Sequence, residues 1–249
     1  MRALVINPKG GSGKSLIARE VLAAPLLKGA VIIEIDQLNR QQIDFRDSFL
    51  DVVELLPSQA SECTHFLKNE HNRNVIIDVG IDKIEETFTK LSKIPMRYID
   101  VVVIPVMPGR YEAEGAFQIY DKVAQLDTEV VFALNQVDPT RQNPLERQHL
   151  GFFSRLDAKG MSLDRINLVQ IPYSSVFEEA VYGSKTVYQL AYRDSFLDQL
   201  MEEEMKNGLS DHACALANAE WNRIAAKSLL DSWIMPAHTT IRRIAGDDI

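Results

Sequence analysis

Only two cysteines, Cys63 and Cys214, occur in 249 residues. They are too few and too far apart for a disulfide framework or a zinc site, and the compartment expected is a reducing cytoplasm. No apolar run approaches the roughly 18–20 residues needed to cross a bilayer. The first apolar run starts within a few residues of Met1, which leaves no room for a secretory signal. Repeats and low-complexity tracts are absent. Excess positive charge is absent too: 27 basic against 35 acidic residues give a formal net charge of -8. That balance argues against a DNA-coating protein but leaves room for a local basic patch. With 46% hydrophobic and 25% charged residues, the chain can bury a sizeable core and stay soluble.

The segment Asn7-Pro8-Lys9-Gly10-Gly11-Ser12-Gly13-Lys14-Ser15 carries the most information. It follows the apolar run Ala3–Ile6 and precedes a helix-like run from Leu16 to Leu22. A strand, a glycine-rich turn and a helix in that order make a phosphate cradle. Gly10, Gly11 and Gly13 have no Cβ, so consecutive backbone N–H groups, Ser12 included, can converge on phosphate oxygens. Lys14 would lie on the β- and γ-phosphates of ATP, and the Ser15 hydroxyl would coordinate Mg2+. The plain alternative is a glycine-rich turn with two solvated lysines.

β-rich runs recur along the chain at Ala3–Asn7, Ala30–Asp36, Asn74–Asp78, Ile99–Pro105, Glu129–Asn135 and Asn167–Ile171. Several are apolar nearly throughout, which suits a parallel sheet covered on both faces. Helices are predicted between them at Ser15–Leu27, Ser58–Asn69, Lys83–Lys93, Tyr111–Leu126 and Pro144–Asp157. The fold class predicted is α/β, a doubly wound and mostly parallel sheet of the P-loop NTPase kind. From about Thr186 to Leu230 the pattern is mainly helical, interrupted near Asn207–Asp211, where Asp211 would cap the next helix. Pro236 is expected to end the last helix. Residues 1–249 are read as one domain, with 186–249 a helical extension packed on it.

The strict pattern G-x-x-x-x-G-K-[ST] fails here, because Pro8 stands where its first glycine belongs. The run Lys9-Gly10-Gly11-Ser12-Gly13-Lys14-Ser15 instead resembles the deviant Walker A motif, K-G-G-x-G-K-[ST], of the ParA/MinD family of P-loop ATPases. The resemblance covers roughly residues 1–185. It implies that Lys9 reaches the phosphates held by a partner subunit, in a homodimer that sandwiches two ATP molecules. Glu34-Ile35-Asp36 resembles the family's D-x-D segment, with Glu34 in place of the first aspartate. By that resemblance Lys9, Lys14 and Asp36 carry catalysis, Asp36 orienting the attacking water while Glu34 supports the metal shell. An acidic turn at a strand end is the alternative for this pair. Val75–Asp78 resembles a Walker B strand, placing Asp78 beside Ser15 to hold Mg2+ through water, although Val79-Gly80 departs from the family's usual continuation.

On the base side, Asn135 matches the family's adenine-contacting asparagine. Pro172 and Tyr173, followed by Glu178-Glu179-Ala180 and Gly183, resemble its I-P…E-A…G segment. A strand-terminating Asn-Gln turn is the alternative for Asn135. Arg110, in Met107–Tyr111, falls where relatives form their dimer face, and a solvated arginine at a helix start is its alternative. The family mostly positions cargo, so the expectation is an ATPase of partition, conjugation or cargo placement, working with a ParB-like activating adaptor, with non-specific DNA as a further partner to be weighed. For DNA, Arg193, Lys206, Arg223, Lys227, Arg242 and Arg243 are the basic candidates, against ordinary solvated helix faces. Two other readings share the loop. A MinD-like membrane ATPase would need a basic amphipathic end, and Arg242-Arg243 followed by Asp247-Asp248 makes a poor anchor. An ATP-dependent synthetase of the dethiobiotin type would have no need of Lys9. The nitrogenase iron protein is excluded, since Cys63 and Cys214 do not sit where its cluster ligands do.

Overall fold

The computed structural model describes residues 1–247 apart from 38–41, 43, 44, 46–48, 70–72, 94, 127 and 141. In chain order, strand β1 (Arg2–Val5) runs through the glycine-rich turn into helix α1 (Lys14–Leu16), which continues as a π-helical stretch over Ile17–Ala23. Then come β2 (Ala30–Ile35), β3 (Asp51–Leu55), α2 (Cys63–Asn69), β4 (Asn74–Val79) and α3 (Ile84–Lys93). The second half holds β5 (Val101–Val106), α4 (Arg110–Val123), β6 (Glu129–Val137), α5 (Leu145–Gln148), α6 (Leu150–Ala158) and β7 (Asn167–Pro172). It closes with α7 (Ser175–Tyr182), α8 (Val187–Ala191), α9 (Leu197–Asn207), α10 (Asp211–Leu229) and α11 (Met235–Ile244).

The strands form a parallel seven-stranded sheet in the order β3-β2-β4-β1-β5-β6-β7. Every residue of β2 and β5 is buried, as continuous apolar runs require when helices cover both faces. On one face Ala3, Val5, Ile32, Ile76 and Val103 meet α1, α7, α8, α10 and α11. On the other, Leu4, Ile33, Ile77 and Val102 meet α2, α3, α4 and α6. Phe117, Phe132 and Phe152 pack ring against ring within this second layer, at centroid separations of 5.1–5.3 Å. The helices after Thr186 share the first layer's core, except α9, which has no buried residue.

Four expectations are corrected. A strand, β3, occupies residues 51–55, where none was predicted; it is an edge strand with an exposed Asp51 and three half-buried residues, too mixed to resemble the apolar strands. The helix expected over 144–157 breaks at His149 (φ -111°, ψ 40°) into α5 and α6. Ser210, not Asp211, caps α10, its hydroxyl accepting from Ala213 N at 3.0 Å. Pro236 does not end a helix; it is the second residue of α11, directly after a π-helical turn, in a backbone that stays helical from α10 onward. That turn, over Leu230–Ile234, carries the chain from α10 into α11.

The break at His149 has an electrostatic consequence. Its imidazole is fully buried, neither ring nitrogen has a partner among the described residues, and burial pulls its pKa down to about 4. In the unfolded chain the ring titrates near its ordinary 6.5. Between those values the unfolded state binds a proton that the folded state does not, so stability falls as pH drops through that window. The shift corresponds to about 3 kcal/mol lost by pH 4. Urea unfolding at pH 7, 5.5 and 4 should show this loss in the wild type and a shallower one in His149→Phe. Parallel pH dependence in the two proteins would refute the assignment.

Candidate functional site

Nucleotides bind such sheets at the carboxyl ends of the strands, and β1 sits at the centre, with β4 and β5 on either side. The glycine-rich loop leaves β1 there. Asn7 anchors its base, the side-chain amide donating to Pro105 O of β5 at 2.6 Å while Oδ1 accepts from Lys9 N at 2.8 Å. Gly11 (φ 72°) and Gly13 (φ 90°) hold the left-handed conformations that a cradle of converging amides needs. Gly115 of α4 supports the loop from the side; a Cβ there would lie 3.0 Å from Pro8. Gly10 to Leu16, Asp36, Gly80 and Ile81 line a pocket of about 200 Å³.

Lys14, 7% exposed, curls back over the loop, with Nζ donating to Lys9 O at 2.9 Å and to Ser12 Oγ at 3.5 Å. Burial lowers its pKa, opposed by the charges of Asp78, Asp36 and Glu112. Lys9 is half-buried, and its ammonium has no hydrogen-bond or ion-pair partner among the described residues. One loop therefore carries an inward and an uncommitted cation.

Glu34 of β2 and Asp78 of β4 are paired in register and face the side on which α1 packs. Burial pushes the Asp78 carboxyl up, offset by hydrogen bonds from the Gln42 and Ser15 side chains and by the charges of Lys14 and Arg19. Its Oδ1 is buried without a partner among the described residues. An orphaned carboxylate oxygen next to the Ser15 hydroxyl fits a hydrated divalent cation, with Ser15 as direct ligand and Asp78 acting through water. No group of three or more His, Cys, Asp or Glu able to hold a metal occurs among the described residues. Asp36 is buried at the pocket wall, against Gly80: a Cβ on Gly80 would lie 2.1 Å from its Oδ2. Gly80 also donates its N–H to Ile35 O at 2.8 Å. The unusual Val79-Gly80 continuation thus makes room for Asp36.

Asn135 lies directly under the loop. Its Nδ2 donates to Ser12 O at 3.2 Å, its Oδ1 accepts from Gln136 N at 2.9 Å, and a Cβ on Gly13 would fall 1.9 Å from Nδ2. The register shift between β6 and β7 at this point puts Gln136 at φ 57°. Pro172 is buried at the end of β7 and Tyr173 is 57% exposed, its N–H on Val137 O at 2.9 Å. Arg110 lies apart, lining a cleft of about 680 Å³ between α4 and α6 with Arg147 and Arg155. Of the basic residues considered for DNA, Lys206, Arg223, Lys227 and Arg242 are engaged with Glu202, Glu220, Asp231 and Asp247. Arg193 lies 4.9 Å from the Phe196 ring centroid.

Two residues escaped the sequence reading. Gln42, fully buried, reaches into the site, and Glu112, in the first turn of α4, acts electrostatically on Lys14. Neither belongs to a motif; Gln42 sits in the undistinguished run Arg40-Gln41-Gln42.

The fold has known counterparts. A protein of Borrelia burgdorferi assigned to plasmid partition and bound to AMPPNP is 17% identical over 71% of this chain and 88% of its own, with a TM-score of 0.50. The cell division ATPase MinD of Pyrococcus furiosus is 10% identical over 90% and 98%, with a TM-score of 0.51. Apo McdA of Cyanothece is 12% identical over 90% and 98%, with a TM-score of 0.52. No family profile and no curated protein matches the sequence.

The contact between Gly13 and Asn135 is testable. Gly13→Ala combines a strained φ with a steric clash and is expected to cost about 1–3 kcal/mol in urea unfolding. Asn135→Ala removes the obstacle, so the double variant should recover part of that loss in a double-mutant cycle. Strictly additive losses would show that the two groups do not touch. The chain thus has the fold of the ParA/MinD ATPases, seven parallel strands with a glycine-rich loop at their centre and a helical C-terminal region.

Proposed function

We propose that the chain is a ParA-like member of the ParA/MinD family: an Mg2+-dependent ATPase that dimerises around two bound ATP molecules and hydrolyses them slowly, as a timer. The observation that carries this reading is the loop of residues 9–15, with Lys14 folded inward and the Lys9 ammonium without a partner among the described residues. A lone nucleotide-binding subunit needs only the first.

Backbone N–H groups from Gly10 to Ser15 would hold the phosphates, and Lys14 would neutralise charge building up between β and γ. Ser15, and Asp78 through water with Glu34 behind it, would hold Mg2+, which would supply further charge neutralisation. Asp36 would orient the attacking water, and its position depends on the missing Cβ of Gly80. Asn135, Pro172 and Tyr173 form the base side, where Asn135 also braces the loop through Ser12 O. ATP shared across two subunits favours the dimer by mass action, and loss of the γ-phosphate releases it.

As a switch, such a dimer suits plasmid partition, conjugation or cargo positioning, with a ParB-like adaptor as its activator and non-specific DNA as its track. No described helix is long and apolar enough to cross a membrane. The apolar face of α11 is already buried through Ala237 and Ile241, which disfavours a MinD-like use of this helix on a membrane surface. A dethiobiotin-type synthetase is the second reading, favoured only if Lys9 proves dispensable.

Light scattering after size exclusion, with ATP and with ADP, tests the proposal. The wild type should dimerise with ATP alone, Asp36→Ala should stay trapped as a dimer, and Lys9→Ala should remain monomeric. A monomeric wild type together with normal turnover in Lys9→Ala would overturn the dimer and favour the synthetase. Gly80→Ala should bind ATP within about threefold of wild type yet lose at least about tenfold in kcat, because it displaces only Asp36. Unchanged turnover would remove Asp36 from the mechanism.

A further inference from the structure

Gln42 lies six residues beyond Asp36 and is fully buried. Its backbone N–H donates to both oxygens of Glu34 at 3.2 Å. Its side-chain Nε2 donates to Ser15 O at 2.9 Å and to Asp78 Oδ2 at 3.0 Å. Both partners are acceptors only, so the orientation of the amide is set: a flipped Gln42 would point its oxygen at a carbonyl and a carboxylate. The remaining Oε1 is buried without a partner among the described residues, and so is Oδ1 of the Asp78 carboxylate it bonds. Two orphaned acceptors on directly bonded groups require donors, and buried acceptors left unpaired are costly. The water ligands of a cation next to Ser15 are donors of the right kind.

The same turn is fastened at a second point. Phe45 N donates to Gln42 O at 3.1 Å, and the Phe45 ring lies under the Arg19 guanidinium at 3.8 Å. Ser15 and Arg19 are four residues apart on one helical run, so Gln42 and Phe45 grip the same side of it.

We propose that Gln42 is a positioning residue of the divalent-cation shell: Nε2 fixes the Asp78 carboxylate against Ser15, and the Gln42 and Asp78 oxygens left over accept from water on the cation. Loading of the cation and seating of Gln42 thereby become one event. This inference rests on the Mg2+-ATP reading of the loop and adds a residue that no motif in the sequence marks.

The test uses Mn2+ as probe, its binding read by electron paramagnetic resonance on the full chain saturated with a non-hydrolysable ATP analogue. Gln42→Met keeps the volume and removes both donor and acceptor. Mn2+ affinity is expected to fall 10–100-fold, while binding of the analogue in EDTA stays within about twofold. Gln42→Asn, which keeps the amide on a shorter stem, should fall between the two and serves if Gln42→Met does not fold by circular dichroism. Wild-type Mn2+ affinity in the folded variant would overturn the proposal. So would an equal loss of analogue binding in EDTA, since Gln42 would then only shape the loop. A wild type that takes up neither analogue nor Mn2+ would instead sink the nucleotide reading, and this inference with it.

Discussion

A carboxylate cannot be taken out of water in the middle of a sheet without compensation, and Asp78, 2% exposed, is in that position. The compensation comes from separate stretches of chain. The glycine-rich loop and the helix after it supply Ser15, Lys14 and Arg19, and the segment beyond β2 supplies Gln42. Each is buried or half-buried in turn and has to be held. Lys14 is held by Lys9 O, and Gln42 by Glu34 through its backbone. The site is thus a closed network of charges and hydrogen bonds, in which removing one member exposes the burial cost of the next.

Glycines make this network geometrically possible, each for a different neighbour. Gly13 admits the Asn135 amide, Gly80 the Asp36 carboxylate, and Gly115 the Pro8 ring. Only the first belongs to the loop motif. The other two lie on β4's exit and in α4, so the shape of the site is written partly outside the loop. Asn135 shows how this alters the meaning of a residue. Its amide is committed to Ser12 O and Gln136 N, so whatever it contributes to the base, it also braces the cradle.

Much of the fold was legible because its signals are local. Six strands announced themselves as apolar runs, and the parallel sheet followed from their continuity. The loop, with Lys14 and Ser15, was legible from spacing. Elements governed by tertiary context were not. Strand β3 is an edge strand whose Asp51 and Glu54 resemble loop residues. Pro236 looked like a stop, because nothing local reveals that a π-helical turn before it keeps the backbone helical through it. Gln42 was illegible for a deeper reason. Glutamine is ordinarily a surface residue, and only the folding of its segment onto Ser15 and Asp78 turns it into part of the site.

The contacts also run outward from the site. Arg19, stacked on Phe45, makes a buried ion pair with Glu20 at 2.7 Å, and Glu20 Oε2 accepts from Val187 N at 2.8 Å, at the start of α8. Burial raises the Glu20 pKa, and the Arg19 charge and the Val187 N–H oppose that rise, so neither partner is comfortable alone. Adjacent residues of one helical run therefore bind the segment beyond Asp36 on one side and the C-terminal helices on the other. A displacement of Phe45 would leave Arg19 with Glu20 as its buried partner and would alter the electrostatic balance under Val187. The close-packed apolar contacts of this layer would carry such a displacement as well. The buried ion pair adds an electrostatic link, since either charge left alone would carry its full desolvation cost. The C-terminal helices are thus joined to the helical run that follows the glycine-rich loop by a buried ion pair and a charge-assisted hydrogen bond, as well as by packing.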